Sequence, residues 1–385
     1  MGSCNCQTDC IRKMDLYENN EDKNKGQIGE NYQVQNDNDI SKFVINTKKK
    51  EIENNLLKFG IFIPINDFNR LIPAETLIYI ENNKLDYKNY INDNIEVYLQ
   101  NPFQFPNSNI YYGNWSNNIE MEGYGRYYLK ESKIITEGVW NKGNIIFGRI
   151  FCQNGDIYEG EMKNSKPNGE GKFLFANNEK YVGEFKDGEI NGFGDFIFED
   201  KTEYKGQFAN GLFNGKGKMV WKNGIVYEGN FLDSTLNGEG IITSTTKSEN
   251  YKGNFDKNEF NGKGIYHFSN GEEYEGYFEY GIKKGNGKYK RSDGIIFEGI
   301  WDDDLPNGNG QLIYNENKLY GFWRNGIFVD KSEKGKEEVN KIFENIDKNI
   351  KPPENNRIYP SSLSHLSSAD TNSSQFIANK EFNFA

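Results

Sequence analysis

Tyr181-Val182-Gly183-Glu184-Phe185, Tyr204-Lys205-Gly206-Gln207-Phe208 and Tyr274-Glu275-Gly276-Tyr277-Phe278 are one five-residue unit written three times. From residue 111 on, this aromatic-x-Gly-x-aromatic unit recurs with its glycine at Gly113, Gly138, Gly160, Gly183, Gly206, Gly229, Gly253, Gly276, Gly299 and Gly321, spaced 22–25 residues apart. A second unit, Gly-x-Gly, ends eleven residues after most of these, as in Gly169/Gly171, Gly215/Gly217 and Gly285/Gly287; Gly123/Gly125 comes one residue later. A fixed period of this length marks a repeat architecture. The two units hold 26 of the 41 glycines, so the composition follows from the repeat.

Read as strands, a period of two sets Tyr158, Gly160 and Met162 on one face and Glu159 and Glu161 on the other. The second unit obeys the same rule, with Gly169, Gly171 and Phe173 opposite Glu170 and Lys172. Each repeat is then a β-hairpin with an aromatic/Gly face and a charged face, and its glycines are expected to make room for rings from the neighbouring hairpin. Turn residues fall where hairpins need them, at Lys186-Asp187-Gly188, Ala209-Asn210-Gly211, Lys222-Asn223-Gly224 and Ser269-Asn270-Gly271. A lone hairpin is marginal in water; stacked repeats cover one another.

This pattern, in register over about residues 111–326, resembles the MORN-repeat family (membrane occupation and recognition nexus). The ends depart from it: Thr136 stands for the Tyr and Gly148-Arg149-Ile150 for the Gly-x-Gly of the second repeat, and the tenth starts at Leu319 and lacks the Gly-x-Gly. These read as caps, and the insertion Thr243 to Asn250 as a protruding loop. The expected fold is all-β: an elongated, single-layer antiparallel β-meander solenoid of about ten MORN hairpins, with a small N-terminal cap and a C-terminal capping helix. Twenty strands at roughly 4.8 Å each would span on the order of 95 Å.

Composition narrows the classes. The chain has 385 residues, 35% hydrophobic, with a mean hydropathy of −0.84, and no apolar run approaches the ~20 residues of a membrane-spanning helix. Yet 15% aromatic is too rich for a disordered chain. The formal charge is −11, so no long-range field favours nucleic acid, and none is expected as a partner. Three of the four cysteines, Cys4, Cys6 and Cys10, sit together and Cys152 stands alone. That is no disulfide framework, and a reducing compartment is expected. No secretory signal is read at the N-terminus.

Five segments are expected: 1–40, a flexible N-terminus; 41–110, an N-terminal cap of short helices and strands over the first repeat; 111–330, the array; 331–351, a capping helix with Val339, Ile342, Phe343, Ile346 and Ile350 at helical spacing; and 352–385, a disordered tail.

No catalytic constellation is legible, and the chain is read as no enzyme and without a cofactor. The only histidines are His267, in a repeat strand, and His365, in the tail. No Gly-x-Gly carries the third glycine of a phosphate loop. Some MORN relatives carry kinase or methyltransferase domains, but the flanks here are too short for a kinase domain and lack its signatures. Cys4, Cys6 and Cys10 could ligate zinc, but a fourth nearby ligand is missing, so no metal is assigned. Acylation is the preferred reading. Met1-Gly2-Ser3-Cys4 begins like a myristoylation site, although Cys6 stands where the full pattern wants Ser or Thr. Cys4, Cys6 and Cys10 could add the second chain that stable anchoring needs.

Residues 110–329 carry 26 Lys and Arg against 32 Asp and Glu, which disfavours phosphoinositides overall. The exception is Lys283, Lys284, Lys288, Lys290 and Arg291, a candidate patch for an anionic partner, with Lys284, Lys288 and Lys290 on one strand face. The expected function is a non-enzymatic, membrane-tethered interaction scaffold on the cytoplasmic face of a membrane. The alternative is a ciliary or cortical cytoskeleton protein without lipid, and a phosphoinositide-binding module ranks below both. The resemblance further implies cytoskeletal or membrane-associated protein partners and a capacity to form homodimers, against which a C-terminal capping helix would act.

Overall fold

The computed structural model describes residues 37–87, 90, 97–329 and 347–350. They form two compact units, one running to Glu189 and the other from Ile190.

The first unit opens with helix α1 (Asp37–Leu56), strand β1 (Ile61–Phe62), helices α2 (Ile65–Asn69) and α3 (Ala74–Asn82), and strands β2 (Val97–Tyr98) and β3 (Phe103–Gln104). Helix α1 begins inside the stretch 1–40 expected to be flexible. The array follows as β4 (Ile110–Trp115), β5 (Met121–Leu129), β6 (Ile134–Asn141), β7 (Asn144–Phe151), β8 (Ile157–Lys163), β9 (Lys166–Leu174) and β10 (Lys180–Lys186), each antiparallel to the next. Strands β2 and β3 both pair with the outer edge of β4, and β1 pairs with β3, so the first array strand has no open edge.

The second unit continues the meander through β11 (Glu189–Ile197), β12 (Glu203–Ala209), β13 (Leu212–Val220), β14 (Ile225–Leu232), β15 (Thr235–Ser244), β16 (Glu249–Asp256), β17 (Glu259–His267), β18 (Glu273–Glu279), β19 (Ile282–Lys290), β20 (Ile296–Asp302), β21 (Leu305–Tyr314), β22 (Asn317–Arg324) and β23 (Ile327–Val329). Every neighbouring pair from β11 to β23 is antiparallel. The expected all-β meander is what forms.

Register explains the glycines. Gly194, Gly206, Gly217, Gly229, Gly240 and Gly253 lie opposite one another on successive strands, and the line continues to Gly321. In the regular repeats the ring above the Gly–Gly pair belongs to the same repeat's own tyrosine (Phe297 in the ninth repeat), not to the neighbouring hairpin as expected. A Cβ on Gly217 would lie 2.5–2.7 Å from Tyr204 ring atoms, and one on Gly206 would meet Gly217 Cα at 2.5 Å. Neighbouring hairpins contribute edge contacts instead: the Phe231 ring stands 5.0 Å from Tyr204, perpendicular to it.

Each regular hairpin carries a bulge that the sequence did not announce. Gly206 faces Gly217 and Phe208 faces Phe213, which leaves one residue between the pairs on β12 and three on β13. The excess is two, so side-chain parity survives and the aromatic face stays continuous. Gly215 sits in the bulge at φ +98°, where glycine is favoured. The hydroxyl of Tyr204 donates to the Gln207 carbonyl at 2.8 Å, and Tyr158, Tyr181, Tyr227 and Tyr251 repeat this bond to the residue three further on. The repeat's tyrosine thus covers the glycines with its ring and closes the bulge with its hydroxyl.

Two-residue turns join strands within repeats, with positive φ at both positions, as at Asn210-Gly211 and Asp233-Ser234. Half of the insertion Thr243 to Asn250, expected as a loop, is strand. Thr243 pairs with Asn250 and Ser244 with Glu249, so the hairpin lengthens and only residues 245–248 project. Most of the expected capping helix, 331–351, lies outside the described residues, as do the tail 352–385 and His365. Its described part, Asp347–Ile350, is not helical. It runs against the last hairpin, where Ile350 N donates to Gly326 O at 2.9 Å and Trp323 Nε1 to Lys348 O at 3.1 Å. In the ninth repeat the equivalent indole, Trp301 Nε1, donates instead to Gly287 O of the repeat before it.

Candidate interaction surface

Opposite the aromatic face, every strand presents the x positions of its motif. In the first unit this outer face is already occupied. Helices α2 and α3 lay Phe68, Ile72 and Ile80 on Ile110, Tyr128, Ile135 and Phe151. The stretch after α3 adds two stacked rings, Tyr87 on Tyr124 at 4.8 Å and Tyr90 on Phe147 at 4.1 Å. Beneath them the charges pair: Arg149, 3% exposed, meets Glu159 at 2.6 Å and lies over the Tyr79 ring, and Arg126 meets the buried Glu137, which also accepts from the Tyr124 hydroxyl. Burial first, then the Glu137 charge, holds the Tyr124 hydroxyl protonated well above its usual range. The N-terminal cap therefore covers the outer face of β4–β8, well past the first repeat. Part of the signal was legible: Tyr112 stands where later repeats put Glu159, Lys205 and Glu228, and Tyr124 and Phe147 where they put Glu170, Lys216 and Lys263.

Among the described residues, the second unit carries the same face uncovered across β15–β20. Ile241, Tyr277 and Ile300 are 42%, 45% and 41% exposed. Cross-strand pairing sets Lys252, Ile265, Glu275, Lys288 and Glu298 in one row. Between the rows runs a shallow groove of about 740 Å³, lined by Lys263, Ile265, Glu275, Tyr277, Lys288 and Glu298 over glycine backbone. Lys263 Nζ lies 5.4 Å from the Tyr277 ring centre, and Lys288 is 3.5 Å from Glu298. His267 pairs with Glu273 at 3.0 Å beside the groove. The surface offers apolar anchors between alternating charges, a floor suited to a peptide rather than to a small molecule.

The five-base patch does not hold together. Lys284, Lys288 and Lys290 share the exposed outer face as expected, but Lys284 is paired with Glu279 and Lys288 with Glu298. Arg291 is engaged by Asp293 at 2.8 Å and by the Asp347 carbonyl at 2.8 Å. Lys283 is fully buried on the aromatic face, because the two-residue bulge returns position 283 to the parity of Gly285, Gly287 and Tyr289. Its signal was in the sequence: Pro167, Ile190, Phe213, Leu236, Phe260 and Pro306 fill the same place in other repeats. The repeat glycines sit in the line described above. Gly2, Cys4, Cys6 and Cys10 lie outside the described residues. Cys152 is half-buried, its thiol pushed up to about 12 by burial and then by Asp156. Among the described residues no three His, Cys, Asp or Glu side chains are placed to hold a metal ion, and no helix is long and apolar enough to cross a membrane.

Comparison with known proteins agrees with the hairpin boundaries. The MORN repeat family model matches residues 158–180, 181–203, 204–226, 251–273, 274–296 and 297–317. These are the third to fifth and seventh to ninth repeats counted by their glycines; the sixth, which ends in the insertion, stands outside the match. No curated protein matches the chain. Similar solved structures include the TCP10 domain of Danio rerio CPAP in complex with a peptide of Danio rerio STIL, 14% identical over 61% of this chain and 98% of that one, with a TM-score of 0.31. Others are the SAS-4 TCP domain of Drosophila melanogaster in complex with a proline-rich motif of Ana2 (12%, 46% and 84%, 0.22) and virginiamycin B lyase from Staphylococcus aureus with quinupristin (9%, 60% and 88%, 0.13). Pattern, register and family model together make residues 158–317 of this chain a MORN-repeat array.

Proposed function

We propose that the protein is a non-enzymatic interaction scaffold that uses the outer face of β15–β20 to hold a helical segment of a protein partner with apolar and aromatic side chains. The observation that carries this reading is internal. The same face in the first unit is covered by this chain's own short helices, with Tyr87 and Tyr90 stacked on outer-face rings. Tyr277 and Ile300 offer the same kind of anchor in the second unit, with Lys and Glu on both sides to orient a partner. The test is photo-cross-linking in cells from position 277, with position 205 on the same face as control. A Tyr277→Ser, Ile300→Ser variant should melt like the parent and lose the adducts formed from position 263. Unchanged adducts in that variant would overturn the assignment.

The membrane tether is a second element of the proposal, supported by Met1-Gly2-Ser3-Cys4 with Cys6 and Cys10 close behind. A chain acylated there would sit on the cytoplasmic face of a membrane; an unmodified one would leave a cytoskeletal scaffold. The intact mass of the native N-terminal peptide separates the two. A phosphoinositide site has little support, since Lys283 is buried and Lys284, Lys288 and Arg291 are paired, which leaves Lys290.

A further inference from the structure

One residue breaks the pattern of the aromatic core. At the place filled by Pro167, Ile190, Phe213, Leu236, Phe260 and Pro306 stands Lys283, 0% exposed. Its Nζ lies 3.5 Å from Asp304 Oδ1 and between the rings of Phe268 and Tyr274, at 5.5 and 5.7 Å from their centres. Asp304 Oδ1 also accepts from Lys283 N at 2.9 Å. Asp304 is the second residue of the β20–β21 turn, so the pair joins the eighth repeat to the ninth. The corresponding turn residues elsewhere are Gly188, Gly211, Ser234, Asn258, Gly281 and Gly326, none of them charged. Burial pushes the Lys283 amine below its ordinary range while Asp304 pulls it back.

A ring at position 283 and a glycine at 304 would fit as they do in neighbouring repeats. An array of near-identical hairpins has a specific hazard, which is that one hairpin can be skipped and the next take its place with almost the same contacts. Skipping the eighth repeat would set Phe260 against Asp304; skipping the ninth would set Lys283 against Gly326. Skipping the ninth buries the Lys283 charge with no partner, and skipping the eighth leaves the half-buried Asp304 without its lysine, whereas the correct order pairs both. We propose that Lys283 and Asp304 form a register lock, a complementary pair that fixes the order of hairpins seven to ten against skipping.

The test compares the full chain with a Lys283→Phe, Asp304→Gly variant, which copies the pairing of Phe260 with Gly281 one repeat earlier. Cys4, Cys6, Cys10 and Cys152 are replaced by Ser in both, and cysteines are placed at Lys263 and Ile300. In the native order these sites lie three strand spacings apart, about 14 Å, too far for a disulfide. If the eighth repeat is skipped they become cross-strand neighbours, as Asn286 and Ile300 are natively. After refolding from denaturant under oxidation, the 263–300 disulfide should be at least tenfold more abundant in the variant, while its melting temperature is equal or higher. Equal capture in the two backgrounds overturns the lock. A variant that no longer folds would make the pair a stability element, and the proposal would fall as well.

Discussion

The ring-over-glycine arrangement makes Gly217→Ala a sharp probe. The three atoms nearest its new Cβ, at 2.5–2.7 Å, all belong to the Tyr204 side chain, its hydroxyl and two ring carbons. That ring must withdraw by nearly an ångström, and its hydroxyl then leaves the Gln207 carbonyl, 2.8 Å away. Overpacking of this kind costs about 1–3 kcal/mol, and the lost hydrogen bond adds about 1 kcal/mol. Against this, Ala in place of Gly saves roughly 0.5–1 kcal/mol of chain entropy in a strand. The net expectation is a loss of about 1–3.5 kcal/mol. In a Tyr204→Leu background, which copies Leu319 of the last repeat, ring and hydroxyl are already gone, so Gly217→Ala should cost less than about 0.5 kcal/mol. Urea titrations of the four proteins of this cycle read the coupling directly. Gly206→Ala should resist the same rescue, because its Cβ also meets Gly217 Cα and the Lys216 carbonyl at 2.5 and 2.7 Å. Costs that simply add at Gly217 and Tyr204 would refute the argument.

Other outcomes follow from features already described. Tyr204, Tyr227, Tyr251, Tyr274 and Tyr289 are held neutral by burial, with folded values well above their ordinary one. The unfolded chain therefore loses their protons first: stability should hold up to about pH 10 and then fall by up to ~1.4 kcal/mol per pH unit for each tyrosine, a slope that Tyr251→Phe should reduce. Asp304→Gly alone strands the buried Lys283 and should cost about 3–5 kcal/mol by urea titration. Because the folded value of Lys283 is lowered, this variant should regain stability as pH rises toward ~10.4, the unfolded value. Lys205→Ala, which removes an exposed pair with Asp195, should stay within about 0.5 kcal/mol. Protein made without acyl groups should sediment only weakly with phosphoinositide vesicles, and Gly2→Ala should release the native protein to the supernatant; a Gly2→Ala protein that still pellets would refute the tether.

The repeat fixed the hairpins, their turns and the buried face, because Tyr, Gly and Phe recur at a spacing only a stacked meander satisfies. The bulge was not legible, since two extra residues leave the alternation of side chains intact. The owner of the ring above each glycine was hidden for a related reason: periodicity gives faces, not distances. Lys283 misled because a run of bases reads as one patch until alignment with Phe260 and Pro306 puts it on the inner face. The covered outer face of β4–β8 could have been found by asking why Tyr124 and Phe147 stand where Lys216 and Lys263 stand later. Of the segment expected to close the last hairpin only Asp347–Ile350 is described, and it meets that hairpin through an indole and a backbone hydrogen bond.

The tyrosine that guards its own glycines and closes its own bulge also bears on how fast the chain assembles. Tyr204 reaches Gly206, Gln207 and Gly217, all within thirteen residues, so each hairpin completes its defining contacts over a short loop. Such local closure is the regime of rapid folding and lets repeats settle one after another as they leave the ribosome. The N-terminal cover belongs to the opposite regime. Its bonds from Asn83 to Arg149 and from Tyr90 to Glu161 span 66 and 71 residues, so it must wait for three hairpins to exist before it has a surface to lie on. A nascent chain therefore carries its first helices undocked while the early strands emerge, and that interval is when the apolar outer face of β4–β8 is exposed to association with other chains.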